Sequence, residues 1–579
     1  MLSPNAITVL ESRYLLRDKD GNLIETPQQL FRRVANAIVQ AEYKFGEKDP
    51  GKKELVRGLE TKFYEAMASG QFMPNSPTLM NAGTHRQQLS ACFVLPVEDS
   101  LEGIYNTLKH AALIHQSGGG TGFNFSKIRP HDDFLQDSGG TASGPVSFIE
   151  LFDASTERIK QGGRRRGANM GILNCDHPDI ESFITSKRMP GALRNFNISV
   201  GATNAFLDAV EKNKSWQLIH PNYKTVVKEI PAKKLWELII DNAWSTGDPG
   251  MIFLDVLEAA NPTPKLGRID TTNPCGEVPL LAYEACNLGS INLSLFTKEV
   301  NGKPAIDFDA LKKTISLAVR FLDNVVEENN YILPEITRVV KGNRKIGLGL
   351  MGWAELLIML GIPYASNEAT ALGERLMKFV SETALEASRQ LAVERRSFSS
   401  WNDSIYAPHD PVRNATRTAI APTGTIAVIA GTSPSIEPLY ALAFERRNVL
   451  RGQTLTEVNE IVFKRLQDRG LLNEKVKSTI IAEGHAENTD LPDEWKELIR
   501  TAPFIAPEWH LRHQAAFQKH TDNAVSKTIN LPESSTREAI SEIYMKAWKL
   551  GLKGITVYRD KCKPEQVMNA GAACEICAT

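Results

Sequence analysis

The segment Asn273-Pro274-Cys275-Gly276-Glu277 puts an amide, a thiol and a carboxylate into one short stretch. Pro274 and Gly276 flank the cysteine and disfavour regular helix or central strand, so a tight loop is expected. If that loop is extended, Asn273, Cys275 and Glu277 alternate and project to one side. They would then offer a hydrogen-bond donor, a thiol and a general base. A turn with an incidental cysteine fits the same spacing. Two further thiols lie in apolar runs: Cys286 in Ala285-Cys286-Asn287-Leu288-Gly289, and Cys92 in Ser90-Ala91-Cys92-Phe93-Val94-Leu95. Taken singly, each reads as a small core residue of a strand.

A fourth cysteine motif, Cys574-Glu575-Ile576-Cys577, lies in a stretch from Asp560 to Thr579 that mixes charge with Gly and Ala and reads as a mobile tail. A thioredoxin-like pair belongs at a strand-to-helix junction inside a domain. Zinc, with Cys562 as a third ligand, is the competing reading. A structural zinc site needs four Cys or His ligands, and no histidine is near in sequence. A mobile dithiol that exchanges with another disulfide fits better. Cys175, before Asp176-His177-Pro178, is read as incidental.

Anion sites are suggested by Pro422-Thr423-Gly424-Thr425-Ile426, which follows an apolar run and offers backbone N–H groups and hydroxyls at a helix start. Neither this turn nor Gly118-Gly119-Gly120-Thr121-Gly122 matches a Walker loop or a dinucleotide fingerprint. Gly162-Gly163-Arg164-Arg165-Arg166-Gly167 fits a solvated basic turn, a nucleic-acid patch or a phosphate loop.

The whole chain limits these choices. Its 579 residues carry a formal net charge of −1, which argues against bulk attraction to nucleic acid or a membrane surface. The apolar share of 42% can supply a large core, on a length that suggests about two to four domains. Seven cysteines are too few for a disulfide-stapled secreted chain. The first residues lack a signal-peptide pattern, and no apolar run reaches the roughly 18 residues of a membrane helix. The expectation is a soluble cytoplasmic protein.

The elements that must position these groups are partly legible. Thr26-Pro27 should cap a helix carrying Leu30, Val34, Ile38 and Ala41 on one face, with Gly46 as a stop. A second helix is expected over Glu54 to Ser69. From about Gln71 short apolar runs alternate with turns and amphipathic helices. Lys345 to Leu350 should be a strand leading into a helix through Leu360. Thr418 to Ala421 and Ile555 to Tyr558 should be strands. That alternation is the pattern of an α/β sheet or barrel, whose sites lie at the carboxyl ends of strands.

Read together and in order, these motifs resemble the ribonucleotide reductases, and within them the adenosylcobalamin-dependent class II enzymes. The match begins at Pro74-Asn75-Ser76-Pro77-Thr78-Leu79-Met80-Asn81-Ala82-Gly83 and passes through Cys92, Asn273 to Glu277, Cys286 and Pro422 to Ile426. It ends at the terminal cysteine pair. The resemblance implies a ten-stranded α/β barrel of two five-stranded halves with a finger loop, preceded by an N-terminal helical segment. The expected division is 1–72 helical segment, 73–560 barrel with effector-binding loops, and 561–579 redox tail.

The resemblance also implies roles. Cys275 becomes a thiyl radical that takes the 3′ hydrogen of the ribose, Glu277 is the base for the 3′ hydroxyl, and Asn273 holds the ribose hydroxyls. Cys92 and Cys286 reduce the 2′ position and close to a disulfide. Cys574 and Cys577 reopen it and are renewed by thioredoxin or a glutaredoxin-like reductant. Substrate contacts fall on Ser76, Ala91, Cys92, Gly120, Pro274, Gly276 and the turn Pro422, Thr423, Gly424, Thr425 and Ile426. Ser76 and Pro77 are expected just before an early strand. A deoxynucleoside triphosphate effector would use Asp99 and Ser100 for its sugar and Arg129 for phosphates. Lys160 and Arg194 lie in the neighbouring loops, Lys160 to Gly167 and Lys187 to Asn195. This site is expected at a homodimer contact near a helix from Ser100 to Gln116.

Class I catalytic subunits take their radical through a tyrosine pair, but Ile555-Thr556-Val557-Tyr558-Arg559-Asp560 has no such dyad. Class III enzymes carry a glycyl-radical segment, which is not found here. The cofactor expected is therefore adenosylcobalamin, which ordinary side chains cannot replace as a radical source. The class offers no Asp-x-His-x-x-Gly signature for placing cobalamin contacts. No ATP-cone module is recognisable, so overall activity is not expected to be switched by ATP against dATP at a separate site. Diphosphate substrates are favoured over triphosphates. The alternatives are a class I subunit that needs a radical-generating partner and a non-catalytic nucleotide-binding homologue.

Overall fold

A reciprocal cap starts the N-terminal helical segment. The Gln29 N–H donates to Thr26 Oγ1 and the Thr26 N–H to Gln29 Oε1, with Pro27 in the first turn of helix Pro27–Val39. Leu30, Val34 and Ile38 are buried on one face, as their spacing predicts. The helix tightens into a 3-10 turn, Gln40–Lys44, that carries Glu42 inward. Helices Pro4–Arg13 and Lys52–Ala68 complete this segment. The structure is a computed structural model that describes residues 2–45, 51–135, 139–159, 167–449 and 453–562, the side chains of 444–449 and 453–457 excepted.

The strands form two parallel halves. In the first, Cys92–Val94, Gly120–Asn124, Asn169–Asn174, Phe196–Ala202 and Gly250–Phe253 pair in that order, all parallel. In the second, Ala285–Asn292 pairs in parallel with Ile346–Met351. Leu348 then bridges Thr418, and Ile420 bridges Val525, both in parallel. Thr528–Leu531 finally pairs in parallel with Gly554–Arg559. The halves meet antiparallel on both sides, Cys92–Val94 on Ala285–Asn292 and Gly250–Phe253 on Gly554–Arg559, so the circle closes. This is the expected barrel of two five-stranded halves. The Thr418 to Ala421 strand takes its place in the second half through isolated bridges. Long helices such as Leu101–Ser117, Gly144–Arg158, Phe308–Glu328 and Asn367–Arg395 make the crossovers that parallel neighbours require.

One local expectation fails. Ser76 and Pro77 follow an early strand, Phe72–Pro74, and open the helix Ser76–Asn81. Asn75 Oδ1 accepts the Thr78 N–H, and Pro77 in the first turn has no N–H to satisfy, so this sequence starts a helix.

A buried ionic cluster fastens the helical segment to the barrel helices. Asp323, with no exposed surface, accepts from Arg344 at 2.9 Å, Arg395 at 2.8 Å and Arg413 at 3.3 Å. Asn414 donates to it at 3.1 Å. Arg395 also binds Glu42, which accepts from Asn324 at 3.0 Å. Burial alone would raise the Asp323 carboxyl, but the Arg344, Arg413 and Arg395 guanidinium groups overcome it and hold it well below the usual carboxylate range. Among the described residues, no helix is long and apolar enough to cross a membrane.

Candidate active site

The finger loop is a small hairpin inside the barrel. Thr271–Thr272 pairs antiparallel with Pro279–Leu280, and Asn273 to Val278 make the tip. The Gly276 N–H donates to Asn273 O at 3.1 Å, and Val278 N–H to Asn273 Oδ1 at 2.9 Å. The tip is therefore a tight turn, as Pro274 and Gly276 predict. Gly276 takes a φ of 80°, which glycine adopts without strain. Cys275 is exposed at the summit, while Asn273 and Glu277 are buried below it.

Barrel residues hold the loop in place. Gly122 lies so close that a Cβ there would fall 1.8 Å from Thr272 O, and a Cβ on Gly120 would fall 2.8 Å from Pro274 Cγ. Asn197 Nδ2 donates to Pro274 O at 2.8 Å, and the Ala524 N–H to Glu277 O at 2.8 Å. Sequence reasoning missed Gly122 and Asn197 as loop anchors. The available signals were a second glycine two residues after Gly120 and an asparagine inside a largely apolar strand, where that residue is depleted.

The thiols converge beneath the tip. Cys92 and Cys286 stand directly opposite each other across the antiparallel seam between the halves. Asn273 Nδ2 donates to Cys92 Sγ at 3.1 Å, and Cys92 Sγ lies 3.9 Å from Glu277 Oε1. Burial pushes the Cys286 thiol far above its ordinary value. Glu284 and Glu277 act in the same direction, and Lys345 opposes them. Lys345 is itself buried in an ion pair with Glu284 at 2.7 Å. Burial thus favours the protonated form of Cys286. Cys175 lies apart in the hydrophobic core, pushed up to about 12 by burial.

The remaining predicted residues fall into separate groups. Ala91 and Gly120 adjoin Cys92, with the Gly120 N–H on Ala91 O and Gly120 in register with Cys92. The Pro422 to Ile426 turn leads into helix Gly424–Ala430, with Pro422 and Gly424 exposed. Its Thr423 sits at a φ of 55° and accepts the Ser435 N–H at 2.7 Å, a tether that sequence reasoning did not foresee. Asp99 and Arg129 form an ion pair at 2.9 Å, and Asn222 donates to Asp99 at 2.6 Å. Ser100 caps the helix Leu101–Ser117. Arg194 stands on another loop, its guanidinium lying over Gly191. Lys160, Arg164 to Arg166, Cys574 and Cys577 lie outside the described residues.

The barrel is closed by two antiparallel-joined halves and holds a cysteine finger above a facing thiol pair, and the chain belongs to the ribonucleotide reductase family. The family's barrel domain matches residues 90–410 and 407–558, and its all-alpha domain matches residues 1–87. The chain is 48% identical to a vitamin B12-dependent ribonucleoside-diphosphate reductase of Thermoplasma acidophilum, over 99% of this chain and 81% of that one. It is 47% identical to a protein of the same description from Mycobacterium tuberculosis, with the same coverage. Its fold matches the Actinobacillus ureae class Id ribonucleotide reductase alpha subunit with a TM-score of 0.78, at 25% identity and 97% coverage of both chains.

Proposed function

We propose that this chain reduces ribonucleoside diphosphates to 2′-deoxyribonucleoside diphosphates by a thiyl-radical mechanism that depends on adenosylcobalamin. The observation that carries this reading is the convergence of Asn273, Glu277, Cys92 and Cys286 beneath the exposed Cys275. The vitamin B12 dependence and diphosphate substrate in the relatives' names support the cofactor and the substrate class.

The residues at the tip suit a group brought against them from outside. Cys275 is exposed, and no atom lies within 4 Å of where a Cβ on Gly276 or Gly424 would stand. Cys275 and Gly276 are the residues that would meet the cofactor. When bound, adenosylcobalamin supplies the means to remove the hydrogen atom of a thiol. The thiyl sulfur of Cys275 then takes the 3′ hydrogen of the ribose. Glu277 takes the 3′ hydroxyl proton and gives it back when the 3′ carbon regains its hydrogen. The Asn273 carbonyl is committed to Val278 and one amide hydrogen to Cys92, so its second amide hydrogen serves a ribose hydroxyl. The 2′ hydroxyl leaves as water. Cys92 and Cys286 supply two electrons and two hydrogens and become a disulfide, and Cys275 returns the 3′ hydrogen. Ser76, Gly120 and the Pro422 to Ile426 turn hold the phosphates.

The reading includes a deoxynucleoside triphosphate effector at Asp99, Ser100 and Arg129, a homodimer, a cytoplasmic setting and a tail running from 561 to 579. Mixing the protein with adenosylcobalamin, a nucleoside diphosphate and an effector should produce a Co(II) and thiyl signal in EPR. No such signal, with deoxynucleotide formed only on adding a second, metal-bearing protein, would reassign the chain to class I. Replacing Cys574 and Cys577 by serine should abolish sustained turnover with thioredoxin while activity with a small dithiol persists. Repeated thioredoxin-driven turnover by that variant would rule out the shuttle.

A further inference from the structure

The N-terminal helices reach the phosphate side of the barrel with two largely buried side chains. Tyr14, 2% exposed at the end of helix Pro4–Arg13, places its hydroxyl 2.7 Å from Ser76 Oγ. The same helix packs against Gly424–Ala430, which continues the Pro422 turn. Arg33 grips the other end of the Ser76–Asn81 helix, donating to the carbonyls of Leu79 and Ala82. Its charge is paired with Glu25 at 2.7 Å. The short helix that begins with Ser76 is therefore held at both ends by the helical segment. Packing alone would be served by phenylalanine at position 14, whereas the phenol hydroxyl meets one particular serine.

We propose that Tyr14 is a positioning residue for the substrate phosphates, acting through Ser76. This rests on the reading that Ser76 and the Pro422 to Ile426 turn hold those phosphates. A serine hydroxyl has one hydrogen to give and two lone pairs to accept with, while phosphate oxygens only accept. When Ser76 donates to a phosphate, the Tyr14 hydroxyl donates to Ser76. The chain from phenol to serine to phosphate polarises each bond in it. Without the phenol hydroxyl the serine rotor loses the partner that aims its hydrogen at the ligand. Packing of helix Pro4–Arg13 on the Gly424–Ala430 helix fixes the second half of the same subsite, so one N-terminal element sets the spacing between Ser76 and the Pro422 turn.

The test uses the full chain with Tyr14→Phe, Ser76→Ala and the double variant, measuring nucleoside diphosphate Kd by calorimetry together with KM and kcat. Tyr14→Phe is expected to weaken diphosphate binding about 2–10-fold, the range of one net hydrogen bond, with kcat nearly unchanged. Inhibition by the unphosphorylated nucleoside should not move, and the melting temperature should stay within about 2 °C. In the Ser76→Ala background, Tyr14→Phe should add nothing. An unchanged Kd in Tyr14→Phe, or the same penalty in both backgrounds, overturns the role of Tyr14. An unchanged Kd in Ser76→Ala removes the phosphate reading itself, and the inference with it.

Discussion

Cys275→Ser is expected to lower deoxynucleotide formation by at least about 10³-fold, on the order of 4 kcal/mol or more in the activation barrier. Serine keeps the shape of the finger tip, but its O–H bond is far stronger than S–H and does not yield a hydrogen atom under the same conditions. The side chain is exposed and outside the core, so stability should change by less than about 0.5 kcal/mol. Nucleoside diphosphate binding should persist, because the phosphate groups are assigned to other elements. Product assays beside calorimetry and thermal melting separate the two effects. Deoxynucleotide formation by the serine variant near the normal rate would show that Cys275 carries no radical.

Asp323→Ala should have the largest effect on folding. It would leave Arg344, Arg395 and Arg413 buried around a lost carboxylate, and breaking a buried ionic cluster in this way costs about 3–5 kcal/mol. Denaturant midpoints measure it, and a loss below about 1 kcal/mol would refute the role of the cluster. Its pH dependence has a definite sign. The folded carboxyl is held below its unfolded value of about 3.9, so its contribution is fully present above that pH. That contribution is lost as pH falls through the folded value. Wild-type stability should therefore decline in acid below about pH 4, and Asp323→Ala should lack that part of the decline.

The sequence showed the chemistry more readily than the geometry. Helical spacing over Leu30, Val34 and Ile38, and the strand at Ile346–Met351 before its helix, follow from local pattern. The place of Ser76 is not legible because Phe72–Pro74 is too short to register as a strand, which hides the Asn75 cap that follows it. The cysteines were visible as residues, but their meeting was not. Cys92 and Cys286 are brought opposite each other by an antiparallel seam between halves that are otherwise parallel, and no local pattern encodes that pairing. The Thr423 to Ser435 tether and the Tyr14 to Ser76 contact are likewise products of tertiary packing. Pro274 and Gly276 mark the finger as a loop. The contacts of Asn273 and Glu277 with Cys92 cross between distant segments and carry no local signal.

The seam has a mechanical consequence. Cys92 belongs to one half-barrel and Cys286 to the other, and most of the first half and the whole finger lie between them in the chain. Oxidation of this pair would rivet the two halves together at the point where their strand directions oppose, and re-reduction would unfasten them. The catalytic cycle would thereby alternate the molecule between a chain held by contacts alone and a covalently closed ring that includes its own reactive finger.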